Sequence, residues 1–268
     1  MNRYELTKNE RTITYVDEGV GDPVIFLHGF CGSADYWKYV IPEMAEKHRV
    51  LAVNLRGHGG SSTEKESYGV EEMADDIRLV LDDLEIQSAS IFGHSLGGYV
   101  ALAFAEKYPD RVTSFGLVHS TAYPDSEDAR RGREAGMEKI EKEGIKPFVD
   151  GLVPKLFAEH NRTGEEADFA KQIGYHTPTT GAIASLEAMK NRQDRRRIIE
   201  ISDVPVLLLA GEKDEVIAPE KTFTANGPHI YQSVLNGAGH MGMLEEPETF
   251  VKVLKDFLEN FVHPKPKE

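Results

Sequence analysis

Gly93-His94-Ser95-Leu96-Gly97-Gly98 decides how this chain folds. It follows the apolar run Ala89-Ser90-Ile91-Phe92 and precedes Tyr99-Val100-Ala101-Leu102-Ala103-Phe104-Ala105. It therefore reads as strand, sharp turn, helix, with a serine at the apex. The pattern is G-x-S-x-G. Small residues two before and two after the serine let the chain reverse where a side chain would obstruct it. The serine is then held in a strained conformation with its hydroxyl exposed above the sheet. The helix starting there has N–H groups without intrahelical partners, which face any negative charge forming nearby.

The rest of the chain fits an ordinary globular protein. Its 268 residues allow one large domain, or a core with an inserted lobe. Composition is ordinary, at 40% hydrophobic and 28% charged. No apolar run approaches the roughly 18 residues of a membrane helix. Met1-Asn2-Arg3-Tyr4-Glu5 has no apolar h-region, so no secretory signal is expected. A single cysteine, Cys31, excludes an internal disulfide and suits a reducing compartment. The expected location is therefore cytoplasmic. A net charge of −14 argues against nucleic-acid or anionic-membrane partners.

Strands are predicted over 11–18, 23–28, 50–53, 89–92, 112–118, 205–210 and 229–235. Helices are predicted near 70–84, 96–107, 219–225 and 247–260. In the first helix Val70, Met73, Ile77, Leu81 and Leu84 recur at three to four residues and mark one buried face. Its acids Glu72, Asp75, Asp76, Asp82 and Asp83 read as a solvated face. The alternation implies a mostly parallel sheet covered on both faces. Residues 121–200 break it and read as helices only, near 126–143, 146–157, 164–174 and 179–192. This segment carries 14 Lys+Arg and 15 Asp+Glu, so the acidity of the chain lies almost wholly outside it. Arg195-Arg196-Arg197, flanked by acids, reads as a salt-bridged hinge.

A serine nucleophile needs a base, and the base needs an orienting carboxylate. Both are available in loops at the C-terminal ends of strands, where sites collect in open sheets. Val206-Leu207-Leu208-Leu209-Ala210 runs into Gly211-Glu212-Lys213-Asp214-Glu215, which offers three acids. Strand 229–235 runs into Asn236-Gly237-Ala238-Gly239-His240. His94 should point away from the site, and His119, ending strand 112–118, either lines the pocket or packs. The oxyanion needs two donors. Leu96 N–H is one, and Phe30 N–H in His28-Gly29-Phe30-Cys31-Gly32 is the other candidate. Cys31 lacks a strand–turn–helix setting and reads as a packed residue. Gly237-Ala238-Gly239-His240-Met241-Gly242 matches G-x-G-x-x-G, but no strand follows to complete a dinucleotide-binding unit. No metal or nucleotide motif is present, so no cofactor is expected.

Taken together, His28-Gly29, Arg56-Gly57-His58-Gly59-Gly60-Ser61, Gly93-His94-Ser95-Leu96-Gly97, Gly211-Glu212-Lys213-Asp214 and Gly239-His240 resemble the α/β-hydrolase-fold serine hydrolases, across almost the full chain. The resemblance implies an eight-stranded sheet and a triad of Ser95, Asp214 and His240, and selects Asp214 over Glu212 and Glu215. It implies that 1–120 and 201–268 form the core and 121–200 a helical cap between the sixth and seventh strands. Asn54 departs from the aspartate of many relatives, which changes local hydrogen bonding. A serine nucleophile sets the chain apart from the haloalkane dehalogenases and epoxide hydrolases of the fold, which use aspartate. Tyr99 stands where a lyase-type relative of menaquinone synthesis has arginine.

The expected activity is carboxylesterase-like: hydrolysis of a small ester through an acyl-enzyme, by a monomer or homodimer. Lactonase, thioesterase and C–C bond hydrolase share the parts, and a slow-turnover ligand receptor would keep them too. Residues such as Phe148, Leu152, Leu156, Phe169 and Met189 either shape an acyl pocket or seat the cap.

Overall fold

The computed structural model describes residues 1–8, 10–62 and 67–262. Eight strands, β1 (Arg3–Lys8), β2 (Arg11–Glu18), β3 (Asp22–Leu27), β4 (His48–Val53), β5 (Ala89–His94), β6 (Val112–Val118), β7 (Val206–Gly211) and β8 (Ile230–Leu235), form one sheet. Their order is β1-β2-β4-β3-β5-β6-β7-β8. Only β2 runs against its neighbours; every pairing from β4 to β8 is parallel. This is the α/β-hydrolase fold that the motifs imply. Val24–Leu27 and all of β5 and β7 are buried. Helices cover both faces of those strands, so their sequences are continuous apolar runs.

The helices are α1 (Val40–Met44), α2 (Val70–Asp83), α3 (Leu96–Lys107), α4 (Glu127–Glu143), α5 (Ile145–Leu156), α6 (Glu165–Tyr175), α7 (Thr179–Asn191), α8 (Arg196–Glu200), α9 (Pro219–Thr222), α10 (Gly242–Glu245) and α11 (Pro247–Phe257). As the spacing predicts, α2 buries Val70, Met73, Ile77 and Leu81. Helix α3 lies against the sheet and α2 and is buried from Leu96 to Ala105. Its composition is apolar all round for that reason. Between β6 and β7 the chain is helical only, and α4 packs on α7 while α5 packs on α6.

Three expectations need correction. β1 was not anticipated: only Leu6 in it is buried, so it has no alternating apolar signal. The helix near 219–225 is the single turn Pro219–Thr222. Asp76 on α2 does not belong to a solvated face. It is 3% exposed and takes two hydrogen bonds from the buried Arg56, at 2.8 and 2.7 Å, and one from Arg11 at 2.8 Å. Burying that carboxylate requires such pairing, and the pair anchors the loop after β4 to α2. Asn54 clasps a third segment. Its Oδ1 accepts from Ala34 N at 2.7 Å, and its Nδ2 donates to Thr14 Oγ1 at 2.9 Å and Gly59 O at 3.2 Å.

Of the acids flanking the arginine run, Asp194 pairs with Arg196, while Arg195 bonds two acids distant in the chain, Glu106 and Glu71 of the core. Among the described residues no helix is long and apolar enough to cross a membrane.

Candidate active site

The turn after β5 brings Ser95 to the sheet's C-terminal edge with φ 50° and ψ −112°. That left-handed φ is costly for a residue with a side chain, and surrounding structure must hold it. Ser95 N donates to Val118 O at 3.0 Å, and Ser95 O accepts from Gly98 N at 2.9 Å and from Ser120 Oγ at 2.7 Å. The flanking glycines are sterically required. A Cβ on Gly93 would lie 2.0 Å from Gly97 O, and one on Gly97 would lie 2.4 Å from Leu27 O. Small residues two before and two after the serine are thus required atom by atom.

Asp214 leaves the end of β7 and His240 the end of β8. His240 Nδ1 donates to Asp214 Oδ2 at 2.7 Å. Asp214 Oδ1 accepts from Val216 N at 2.8 Å and Ile217 N at 2.9 Å. Burial alone would raise this carboxyl, but His240 and His119 outweigh it and hold the group well below the usual carboxylate range. Asp214 is therefore an anion that fixes one tautomer of His240, leaving Nε2 as the proton acceptor. Of the three acids in that loop, Asp214 alone meets the histidine. Glu215 pairs with Arg162 instead.

Ser95 and His240 line one cavity of about 320 Å³, with Phe30, Tyr99, Leu152, Leu156, Met189 and Arg192 also on its wall. The loop after β3 runs alongside the serine: a Cβ on Gly29 would lie 3.3 Å from Ser95 Cβ. Leu96 is the first residue of α3, so its N–H lacks a helical acceptor. Two buried histidines brace the β3 loop. His28 Nδ1 donates to Gly29 O at 2.7 Å while its Nε2 accepts from Leu55 N at 2.9 Å. His58 Nδ1 donates to Arg56 O at 3.1 Å while its Nε2 accepts from Cys31 N at 3.2 Å. Cys31 is 1% exposed and burial pushes its thiol up, away from nucleophile chemistry.

His94 stays off the cavity wall, yet it is not remote from the chemistry. Its Nε2 donates to His240 O at 2.9 Å, and its ring centroid is 5.0 Å from that of His240. His119 packs rather than lining the cavity: it is fully buried, with Nδ1 3.6 Å from Asp214 Oδ2. Burial lowers the pKa of both rings, keeping them neutral beside His240 and Asp214.

One residue escaped the sequence reading. Glu245 Oε1 accepts from Gly239 N at 2.9 Å and Met241 N at 3.1 Å, on either side of His240. Its Oε2 accepts from Ala158 N at 2.8 Å and Asn161 Nδ2 at 3.1 Å. His240 N itself donates to Leu156 O at 2.7 Å. The histidine loop is thus fastened directly to the helical segment. The sequence offers no signal beyond an acid in a short helix, because the partners lie 87 and 84 residues away.

The glycines of Gly237–Gly242 serve this loop, which passes straight into α10.

A family model for the α/β hydrolase fold matches residues 22–247. An esterase from Thermogutta terrifontis superposes with a TM-score of 0.91 at 29% identity, covering 98% of this chain and 100% of that one. A putative 2-succinyl-6-hydroxy-2,4-cyclohexadiene-1-carboxylate synthase of Bacillus subtilis is 29% identical over 257 residues, covering 90% of this chain and 93% of its own. The dihydrolipoyllysine-residue acetyltransferase component of the acetoin cleaving system of Pseudomonas putida is 28% identical over 244 residues. There the match covers 89% of this chain and 64% of the relative's length.

Proposed function

The chain belongs to the α/β hydrolase fold family, and on that premise we propose that it is a serine hydrolase cleaving small carboxylic esters through an acyl-enzyme. The observation that carries this reading is the 2.7 Å bond from His240 Nδ1 to an ionised Asp214, in a histidine that shares a cavity with Ser95. In the first half-reaction His240 Nε2 takes the Ser95 proton as Oγ attacks the ester carbonyl. Charge builds on the carbonyl oxygen, where Leu96 N–H and Phe30 N–H are the donors. His240 then protonates the leaving alcohol, and the acyl group stays on Ser95. In the second half-reaction His240 removes a proton from water, which attacks the acyl carbonyl, and returns it to Ser95. Asp214 stabilises the imidazolium formed in each half. Residues 121–200 act as a cap: Leu152, Leu156, Met189 and Arg192 close the cavity from that side.

A cavity of about 320 Å³ holds a short acyl chain. Steady-state hydrolysis of p-nitrophenyl esters from acetyl to dodecanoyl is expected to peak at short chains and to vanish in Ser95→Ala. Turnover retained in purified Ser95→Ala overturns the assignment.

A further inference from the structure

We propose that the ester cleaved at Ser95 carries a second, anionic group, a carboxylate on its acyl or its alcohol part, seated against Arg133 and Lys221. This rests on the serine-hydrolase reading and adds the substrate class to it.

The cavity that holds Ser95 and His240 has two unlike walls. One is apolar, built by Phe30, Leu152 and Leu156. The other carries three cations, Arg133, Arg192 and Lys221, and a single carboxylate, Asp125. Both guanidiniums lean on that carboxylate: Arg133 Nε donates to Asp125 Oδ2 at 3.1 Å, and Arg192 Nη1 bonds Oδ1. One negative charge thus serves two positive ones. Lys221 adds a third cation, which has no ion-pair partner among the described residues; its Nζ sits 5.1 Å from the Tyr123 ring centroid. The wall is left with an excess of two positive charges.

The cations divide by role. Arg192 is 6% exposed and spent on structure: it bonds Tyr123 O at 3.0 Å and Met189 O at 2.9 Å, and its guanidinium carbon lies 4.1 Å over the Tyr99 ring. Arg133 commits only its Nε to Asp125, so its two terminal amino groups remain to bind. Lys221 has three donors and no carboxylate. Such a positive excess stands out on a chain of net charge −14. Elsewhere the buried Arg195 is matched by two acids, Glu71 and Glu106. A low-dielectric cleft with surplus charge of one sign focuses its field on ligands of the other. A carboxylate accepting from a guanidinium and an ammonium gains charge-assisted hydrogen bonds, while a neutral ester gains only the apolar wall.

Two matched pairs of esters test this on the wild-type protein. Mono-p-nitrophenyl glutarate against p-nitrophenyl valerate places the charge on the acyl side. 4-Carboxyphenyl butyrate against 4-carbamoylphenyl butyrate places it on the alcohol side. At low salt, kcat/KM should favour the anionic member of one pair by about tenfold or more, the scale of one charge-assisted hydrogen bond. The ratio should shrink as salt is added. It should fall to near one in Lys221→Gln combined with Arg133→Gln. Because each ratio is taken within one protein, general damage lowers both members and leaves it unchanged. Lys221→Gln alone, at an exposed side chain, repeats the test if the double variant does not fold. Ratios at or below one for both pairs in wild type, or a ratio unmoved by the substitutions, overturn the proposal. If no ester of either kind turns over, the hydrolase reading falls. The anion site is then read by titrating glutarate into Ser95→Ala, where binding abolished by Lys221→Gln supports it and binding unaffected overturns it.

Discussion

The sheet edge that carries Ser95, Asp214 and His240 and the helical segment 121–200 meet at one cavity but are built on opposite principles. At the sheet edge, backbone approaches backbone. Gly93 and Gly97 leave no room for a Cβ, Asp214 is held by two N–H groups and the His240 ring, and His28 and His58 are wired on both ring nitrogens. In the helical segment, side chains do the lining, and its own histidines, His160 and His176, are exposed. On the proposed function, chemistry that tolerates little displacement is placed on the first, and selection among substrates on the second.

Substitutions can break or sharpen that contrast. The largest effect is expected from Asp214→Asn, which keeps shape but loses the anion that sets the His240 tautomer. A loss of kcat on the order of 10⁴-fold is expected, with the unfolding midpoint little changed. A fall under tenfold in steady-state turnover would remove Asp214 from its assigned role. Next comes Gly93→Ala. Its Cβ would meet Gly97 O at 2.0 Å and Gly98 N at 2.4 Å, both backbone atoms with no rotamer to change. Urea unfolding should report a loss of about 4 kcal/mol or more, or no folded protein. Wild-type stability would mean that the turn at Ser95 yields more easily than its geometry implies.

Acid comes third. Burial, with the charge of His58 adding to it, lowers His28 from 6.5 to about 3, and burial lowers His58 to about 4. Both folded values lie below the unfolded one, so the unfolded chain binds more protons below pH 6.5. The contribution of these two histidines to stability is complete above that pH and is lost as pH falls towards 4. Protonation would also put hydrogens on Nε2 atoms that must accept from Leu55 and Cys31 N–H. Thermal unfolding should be level above pH 7 and fall by about 5–10 °C or more towards pH 4. A level Tm across that range would show these rings free to take protons. The smallest effect belongs to the helical segment. Leu152→Ala, a half-buried wall residue, should change KM for longer acyl esters by about threefold, with little change in Tm. A large loss of kcat for every ester alike would make the segment part of the reaction machinery.

Legibility follows the same divide. The turn at Ser95 could be read because its requirement is local: five consecutive residues, a strand before and a helix after. Four helices of residues 121–200 were also readable, within a residue or two of Glu127–Glu143, Ile145–Leu156, Glu165–Tyr175 and Thr179–Asn191. β1 was not, because an edge strand with one buried residue has no periodic signature. Asp76 looked like one more acid on a polar helix face, and only its meeting with Arg56 and Arg11 buries it.

The sequence by itself therefore determined the sheet-and-helix alternation, the serine at its turn and the strand ends that supply acid and histidine. Each of these follows from neighbours along the chain. Tertiary structure alone decided that Glu245 ties the His240 loop to residues 158 and 161, that His94 stands behind His240 and His119 behind Asp214, and that Arg133, Arg192 and Lys221 line one cavity with a single aspartate. Those contacts join segments far apart in the chain, and nothing in the spacing of residues records which distant side chains the folded sheet will bring face to face.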